Sequence, residues 1–267
     1  MLATFITTLS MVCYWASAAL LYRAARSGIK QPWALPSAAL AAAGHTYRLL
    51  QTLFESGGID LSVFGSSSLV AWVMVVLLLL AACTKPVEKL GIVVFPVAAL
   101  LMGFAEWLPS GEYQLKHSGP GMTLHILSSI IAFGLLSIGA LQAVLLAFQD
   151  RQLRAHRPHG FVLSLPPLQT MESLLFQMMA AGWLFLSVSL LTGLVFLRDW
   201  FAQHLAHKTI LSLAAWWVFG VLLVGRWRYG WRGEAAIRWT LIGFAALLLA
   251  YVGSKLVLEV ILHHQWG

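Results

Sequence analysis

The chain has 267 residues, is 60% hydrophobic and 10% charged, and carries a formal net charge of +7. Soluble domains carry roughly 25% charged residues, so this composition excludes a soluble globular protein. Apolar runs of about 20 residues, each enough to cross a bilayer as a helix, recur along the whole length. The period-two alternation of a membrane barrel is absent.

The fold class is therefore all-α, a polytopic membrane protein with about eight transmembrane helices in a single domain. The spans are predicted near residues 2–22, 34–54, 66–83, 90–107, 121–148, 171–197, 208–227 and 236–262. In membrane chains Lys and Arg collect in cytoplasmic loops. Alternate loops hold Arg23, Arg26 and Lys30; Lys85 and Lys89; Arg151, Arg154 and Arg157; and Arg226, Arg228, Arg232 and Arg238. The other loops hold only Lys116, Arg198 and Lys208. The first set is assigned to the cytoplasm, which puts both termini outside. The positive charge is thus a topology signal, and no nucleic-acid partner is expected. No basic stretch precedes the first apolar run, so no signal peptide is expected.

The first span carries Cys13 and the third Cys83; both are read as small buried hydrophobes. No CxxCH motif is present, so no covalently attached haem is expected. In the second span His45, Arg48, Thr52 and Glu55 recur at spacings of three or four and share one face. Charges inside a span usually line an interior site. Two readings of Arg48 stand side by side: a structural network with Glu55, or a cation for a ligand's carboxylate. His45 either bonds a neighbouring helix or acts as a ligand.

The loop GGIDLSVFGSSSL follows, with an Ile-Asp-Leu-Ser run that can dip back toward the membrane. Pro96 is read as a kink in the fourth span. Ser118–Gly121, SGPG, suits a tight entry into the fifth span.

That fifth span organises the rest. His125 stands near its start, and Ser128, Ser129, Ala132, Gly139, Gln142 and Ala143 follow along the same face. Small and weakly polar residues allow close approach by another helix or a flat ligand; the other faces are expected to meet lipid. The basic loop after it, with His156 and His159, and the GRWRYGWRGE segment are read as anchors at the cytoplasmic interface, the latter alternatively as a docking surface. In the eighth span Tyr251, Lys255, Glu259 and His263 recur every four residues, which stacks them on one face. The readings are a Lys255–Glu259 pair or a ligand at the mouth with a cation below it.

Haem iron takes neutral imidazole as a common axial donor. His125 opens the fifth span on the outer side, and His263 and His264 close the eighth on the same side. Two facing ligands at similar depth are what a haem needs. Arg48, Lys116, Lys208 and Lys255 are candidate cations for its propionates. Trp107, Phe133, Trp200, Tyr251 and Trp266 are candidate walls.

The run LHILSSIIAFGLLSIGALQAVLLAFQD resembles the histidine-bearing helix of the cytochrome c assembly superfamily, the polytopic haem-handling proteins that include CcsA and ResC. IDLSVFGSSSLVAW is similar to the segment before that family's next helix. HKTILSLAAWWVFGVLLVGRWRYGWRG and IGFAALLLAYVGSKLVLEVILHHQWG resemble its last two helices. The chain's size and basic GWRG loop resemble the small YpjD-like branch. The resemblance runs from about Thr46 to the end and implies a multi-pass protein of the bacterial inner membrane. It implies outer-side haem ligands at His125 and at His263 or His264, non-covalent haem b as cofactor, and cytochrome c assembly proteins and membrane lipid as partners. The family's WGxxWxWD segment is absent; LRDWFAQHLAHKT stands in that loop. Its histidine near the end of the penultimate helix is also absent, with Gly225-Arg226 there. These departures argue for a haem-binding or assembly factor, not an enzyme. A haem-free scaffold or regulator of an inner-membrane complex is the alternative, and a transporter a third reading with no paired broken helices to support it.

Overall fold

A computed structural model describes residues 1–56, 58–60, 62–108, 114–115, 119–155, 161–196 and 206–253. Among them the protein is all-α apart from one two-residue antiparallel ladder. The helices are α1 (Leu2–Ser27), α2 (Ala34–Ser56), α3 (Val63–Ala82), α4 (Gly91–Trp107), α5 (Pro120–Arg154), the single turn α6 (Phe161–Ser164), α7 (Leu168–Phe196), α8 (Ala206–Tyr229) and α9 (Glu234–Leu248). A 3-10 turn, Glu88–Leu90, leads into α4, and a π turn, Leu249–Gly253, continues α9. The ladder pairs β1 (Ile59–Asp60) with β2 (Gln114–Leu115).

Seven of the eight long helices are long and apolar enough to cross a membrane. The exception is α2. It has the length, but His45, Arg48, Gln51 and Glu55 within it lower its hydropathy below that of the other seven. At about 1.5 Å per residue the 35-residue α5 is about 52 Å long, more than a hydrocarbon core of roughly 30 Å. It therefore runs past its predicted end at 148, out to Arg154.

The chain divides into two compact units. The first holds α1 to α4, the ladder and α6. Here α1 packs on α2 and α4, and α3 packs on α4. Tyr14, Phe95, Leu78 and His45 are among its fully buried side chains. Ser62 caps α3, its hydroxyl accepting the Gly65 N–H at 3.1 Å. Cys83, expected to be buried, is exposed where α3 ends; Cys13 is intermediate.

The second unit holds α5, α7, α8 and α9. The α5–α7 pair is its most extensive packing, with α8 on α9 and α5 also on α9. The small-residue face of α5 is buried as expected, at Ser128, Ala132, Gly139, Gln142 and Ala143. The other faces do not simply meet lipid. Ile130, Phe133, Leu136, Ile138 and Leu146 are buried too, because α7 and α9 both pack on this helix. Trp183 of α7 and Trp216 of α8 stack at 5.4 Å, and each indole N–H is bonded, to the Trp216 carbonyl and the Ser187 hydroxyl respectively.

Candidate functional site

In the first unit the face of α2 meets polar groups from α1, α3 and α4. His45 is 1% exposed. Its Nδ1 faces the Tyr14 hydroxyl at 3.4 Å and its Nε2 the Ser68 hydroxyl at 2.9 Å. A neutral imidazole offers one donor and one acceptor, so this chain is satisfied in either tautomer. Both ring nitrogens are engaged within the protein.

One turn along, Arg48 forms an ion pair with Glu106 of α4 at 2.5 Å. Its Nε donates to the Thr7 hydroxyl at 3.2 Å and its Nη1 to Gln51 Oε1 at 2.7 Å. Glu106 also accepts from the Thr7 and Thr4 hydroxyls at 3.1 and 3.4 Å. Gln51 in turn donates to Glu55 at 2.7 Å. The predicted link from Arg48 to Glu55 therefore exists, but Gln51 carries it. The main partner, Glu106, was not singled out from the sequence. Its signal was a lone carboxylate near the end of an apolar run.

In the second unit His125 stands in the second turn of α5 and faces α7. Its Nδ1 lies 2.8 Å from the main-chain oxygen of Ser189 and 3.5 Å from the Thr192 hydroxyl. A carbonyl can only accept, so Nδ1 carries the proton and the lone pair of the neutral ring sits on Nε2. Nε2 has no hydrogen-bond partner among the described residues. The His125 carbonyl accepts from the Ser129 hydroxyl at 2.6 Å, and Ser129 lies 2.6 Å from the Ser189 hydroxyl. The α7 residues Ser189 and Thr192 were missed in the sequence because weakly polar residues in a span look like ordinary packing.

Two of the predicted aromatic walls meet: Phe133 and Tyr251 lie 4.8 Å apart, with Phe244 5.9 Å from Phe133. Trp107 is in the first unit and exposed. Lys208 is half-buried in the first turn of α8. His45 and Arg48 belong to the first unit and His125 to the second. Lys255, His263, His264, Glu259, Lys116, Trp200 and Trp266 lie outside the described residues.

At the other end of α8 the segment read as a basic anchor has internal structure. Arg226 lies 4.8 Å over the Phe176 ring and donates to the Trp231 carbonyl at 3.2 Å. Trp231 stacks on Trp239 at 5.6 Å. The Gly233 N–H donates to Glu172 of α7. Trp227 and Tyr229 are exposed.

The donor set suits an imidazole-ligated iron in one respect: His125 has one nitrogen pinned to a carbonyl and the other without a hydrogen-bond partner among the described residues. Metal-ligating histidines almost always donate their second N–H in this way. No group of three or more His, Cys, Asp or Glu that could hold a metal ion by itself occurs among the described residues.

Comparison with known proteins gives a consistent result. The family described as Cytochrome C assembly protein matches residues 33–262. Inner membrane protein YpjD of Escherichia coli strain K12 is 30% identical over 257 residues, which cover 95% of this chain and 97% of that protein. An Azospirillum brasilense protein described only as an uncharacterized 28.8 kDa protein is 31% identical over 198 residues, 72% of this chain and 73% of that one. Cytochrome c biogenesis protein CcsA of Chlamydomonas reinhardtii is 27% identical over 227 residues, 80% of this chain and 62% of that one. No solved structure matches significantly.

Proposed function

The chain belongs to the cytochrome C assembly protein family, and on that premise we propose that it is a haem-holding protein of cytochrome c biogenesis with His125 as an axial ligand. It is a multi-pass protein of the bacterial inner membrane, as the seven apolar helices and the inner-membrane relative indicate. The single observation that carries the ligand reading is the state of the His125 ring, Nδ1 held by the Ser189 carbonyl and Nε2 without a hydrogen-bond partner among the described residues. The distribution of Lys and Arg supports an outer-side location for this histidine and for both termini.

Bound haem b would supply an iron centre for electron exchange or for delivery to an acceptor cytochrome. Everything else is the work of the chain's own residues. α7 orients the imidazole of His125. Phe133, Tyr251 and Phe244 offer an apolar, aromatic surface in the same unit. His263 or His264 is the proposed second ligand, with Lys255 as a cation for a propionate. Glu106, Thr7 and Gln51 engage the Arg48 guanidinium within the first unit, and we assign Arg48 a structural role there. We assign His45 a structural role, because both its nitrogens are bonded.

A haem-free scaffold is the second reading. It draws on the same network in the first unit, which is satisfied by protein groups alone. One experiment separates the two. The protein is purified in mild detergent from haem-replete cells, and its visible spectrum is recorded oxidised and reduced. A Soret band in the wild type that His125→Ala abolishes is the expected result. A colourless wild type that stays colourless on titration with haem overturns the ligand reading and supports the scaffold.

A further inference from the structure

We propose that Ser129 and Ser189 are positioning residues for His125, closing a ring of hydrogen bonds that keeps Nε2 bare and aimed in one direction. The inference rests on the reading of His125 as a ligand and extends it to residues with no other assigned role.

Proton counting fixes the ring. The Ser189 main-chain oxygen accepts from His125 Nδ1 at 2.8 Å. The Ser129 hydroxyl has one proton and two oxygen neighbours, the His125 carbonyl and the Ser189 hydroxyl, both at 2.6 Å. The carbonyl cannot donate, so Ser129 gives its proton there and Ser189 donates to Ser129. Side chain then bonds backbone in both directions. His125 reaches across to the Ser189 backbone, and Ser189 reaches back through Ser129 to the His125 backbone. Ser128 takes a smaller part: its hydroxyl lies 2.7 Å from the Leu124 carbonyl and 3.1 Å from the His125 carbonyl. On the far side the Thr192 hydroxyl lies 2.8 Å from the Val188 carbonyl and 3.0 Å from the Ser189 carbonyl.

The ring does two things for an imidazole ligand. It fixes the tautomer, because Nδ1 cannot give up its proton without losing the carbonyl. It also locks the register of α5 against α7 at the depth of His125, so the ring plane is held by two packed helices. An N–H donated to a carbonyl makes the opposite nitrogen more basic, which favours the oxidised iron and lowers its midpoint potential.

The test uses the full chain in mild detergent, titrated with haemin. Wild type is compared with Ser129→Ala, Ser189→Ala, the double variant, and Ser129→Thr, which keeps the hydroxyl. Each alanine variant is expected to weaken haemin binding about 10-fold and to raise the midpoint potential. The double variant is expected to be no worse than either single one, because a ring breaks once. Ser129→Thr is expected to restore both values. Where Ser189→Ala fails to fold, Ser189→Cys keeps the volume and weakens the donor. Alanine variants with wild-type affinity and potential overturn the proposal while leaving the ligand reading intact, as do losses that simply add in the double variant. A wild type that binds no haemin fails the ligand reading itself, and this inference with it.

Discussion

The Arg48 guanidinium and the Glu106 carboxylate meet at 2.5 Å, with side chains only 17% and 13% exposed. They come from α2 and α4, 58 residues apart. Two unlike charges in a span are tolerable only because each answers the other, and Thr7 bonds both. Removing one partner leaves a part-buried charge unanswered, a loss of about 3 kcal/mol at the low end of the range for such pairs. Glu106→Gln and Arg48→Met are each expected to lower the thermal unfolding midpoint in detergent. The double variant Arg48→Met/Glu106→Gln is expected to lose less than the sum of the two. Strict additivity would mean that the pair is not coupled.

His45 ties three helices of the first unit together through Tyr14 and Ser68. His45→Ala leaves two hydroxyls without a partner in a packed interior, at about 1–3 kcal/mol for each unsatisfied group. The expected outcome is a clear drop in thermal midpoint with no change in the position of any Soret band. A shifted or missing band in a folded His45→Ala protein would reinstate His45 as a ligand.

Gly182 of α7 sits against Leu136 of α5. A side-chain carbon added at Gly182 would lie 2.7 Å from Leu136 Cγ, and Leu136 is fully buried. Overpacking of this kind costs about 1–3 kcal/mol. Gly182→Val is expected to destabilise the protein, and Leu136→Ala in the same chain to recover part of the loss. An unchanged midpoint in Gly182→Val would show that α5 and α7 are not packed this closely.

Gly233 opens α9 with φ 53° and ψ −123°, a conformation that a Cβ disfavours. Its N–H is held by Glu172. Gly233→Ala is expected to cost about 1–3 kcal/mol in local strain and to make the turn between α8 and α9 more sensitive to limited proteolysis. Glu172→Gln, which keeps the acceptor, is expected to cut no faster than wild type, whereas Glu172→Ala is.

Much of this architecture was legible because membrane spans announce themselves by length and hydropathy. The predicted spans over 66–83 and 90–107 fall close to α3 and α4. The small-residue face of α5 was legible from spacing alone. The burial of its remaining faces was not, since hydropathy is the same whether Ile130 or Leu146 meets lipid or another helix. Exposure of Cys83 escaped for a related reason: an apolar run does not say where its last turn ends. At the candidate site His125 stood out as a lone imidazole in an apolar helix. Its partner, a main-chain oxygen at Ser189, carries no sequence signal at all.

The sequence by itself determined that this chain lives in a membrane, that it is helical, and which family it joins, because those follow from composition, period and motif. The tertiary structure alone decided which polar groups answer one another. Arg48 found Glu106 and not Glu55 directly, and His45 closed on Tyr14 and Ser68. The Nδ1 of His125 found the backbone of α7. In a low-dielectric interior each buried donor must meet an acceptor, and only helix packing settles which one lies within reach.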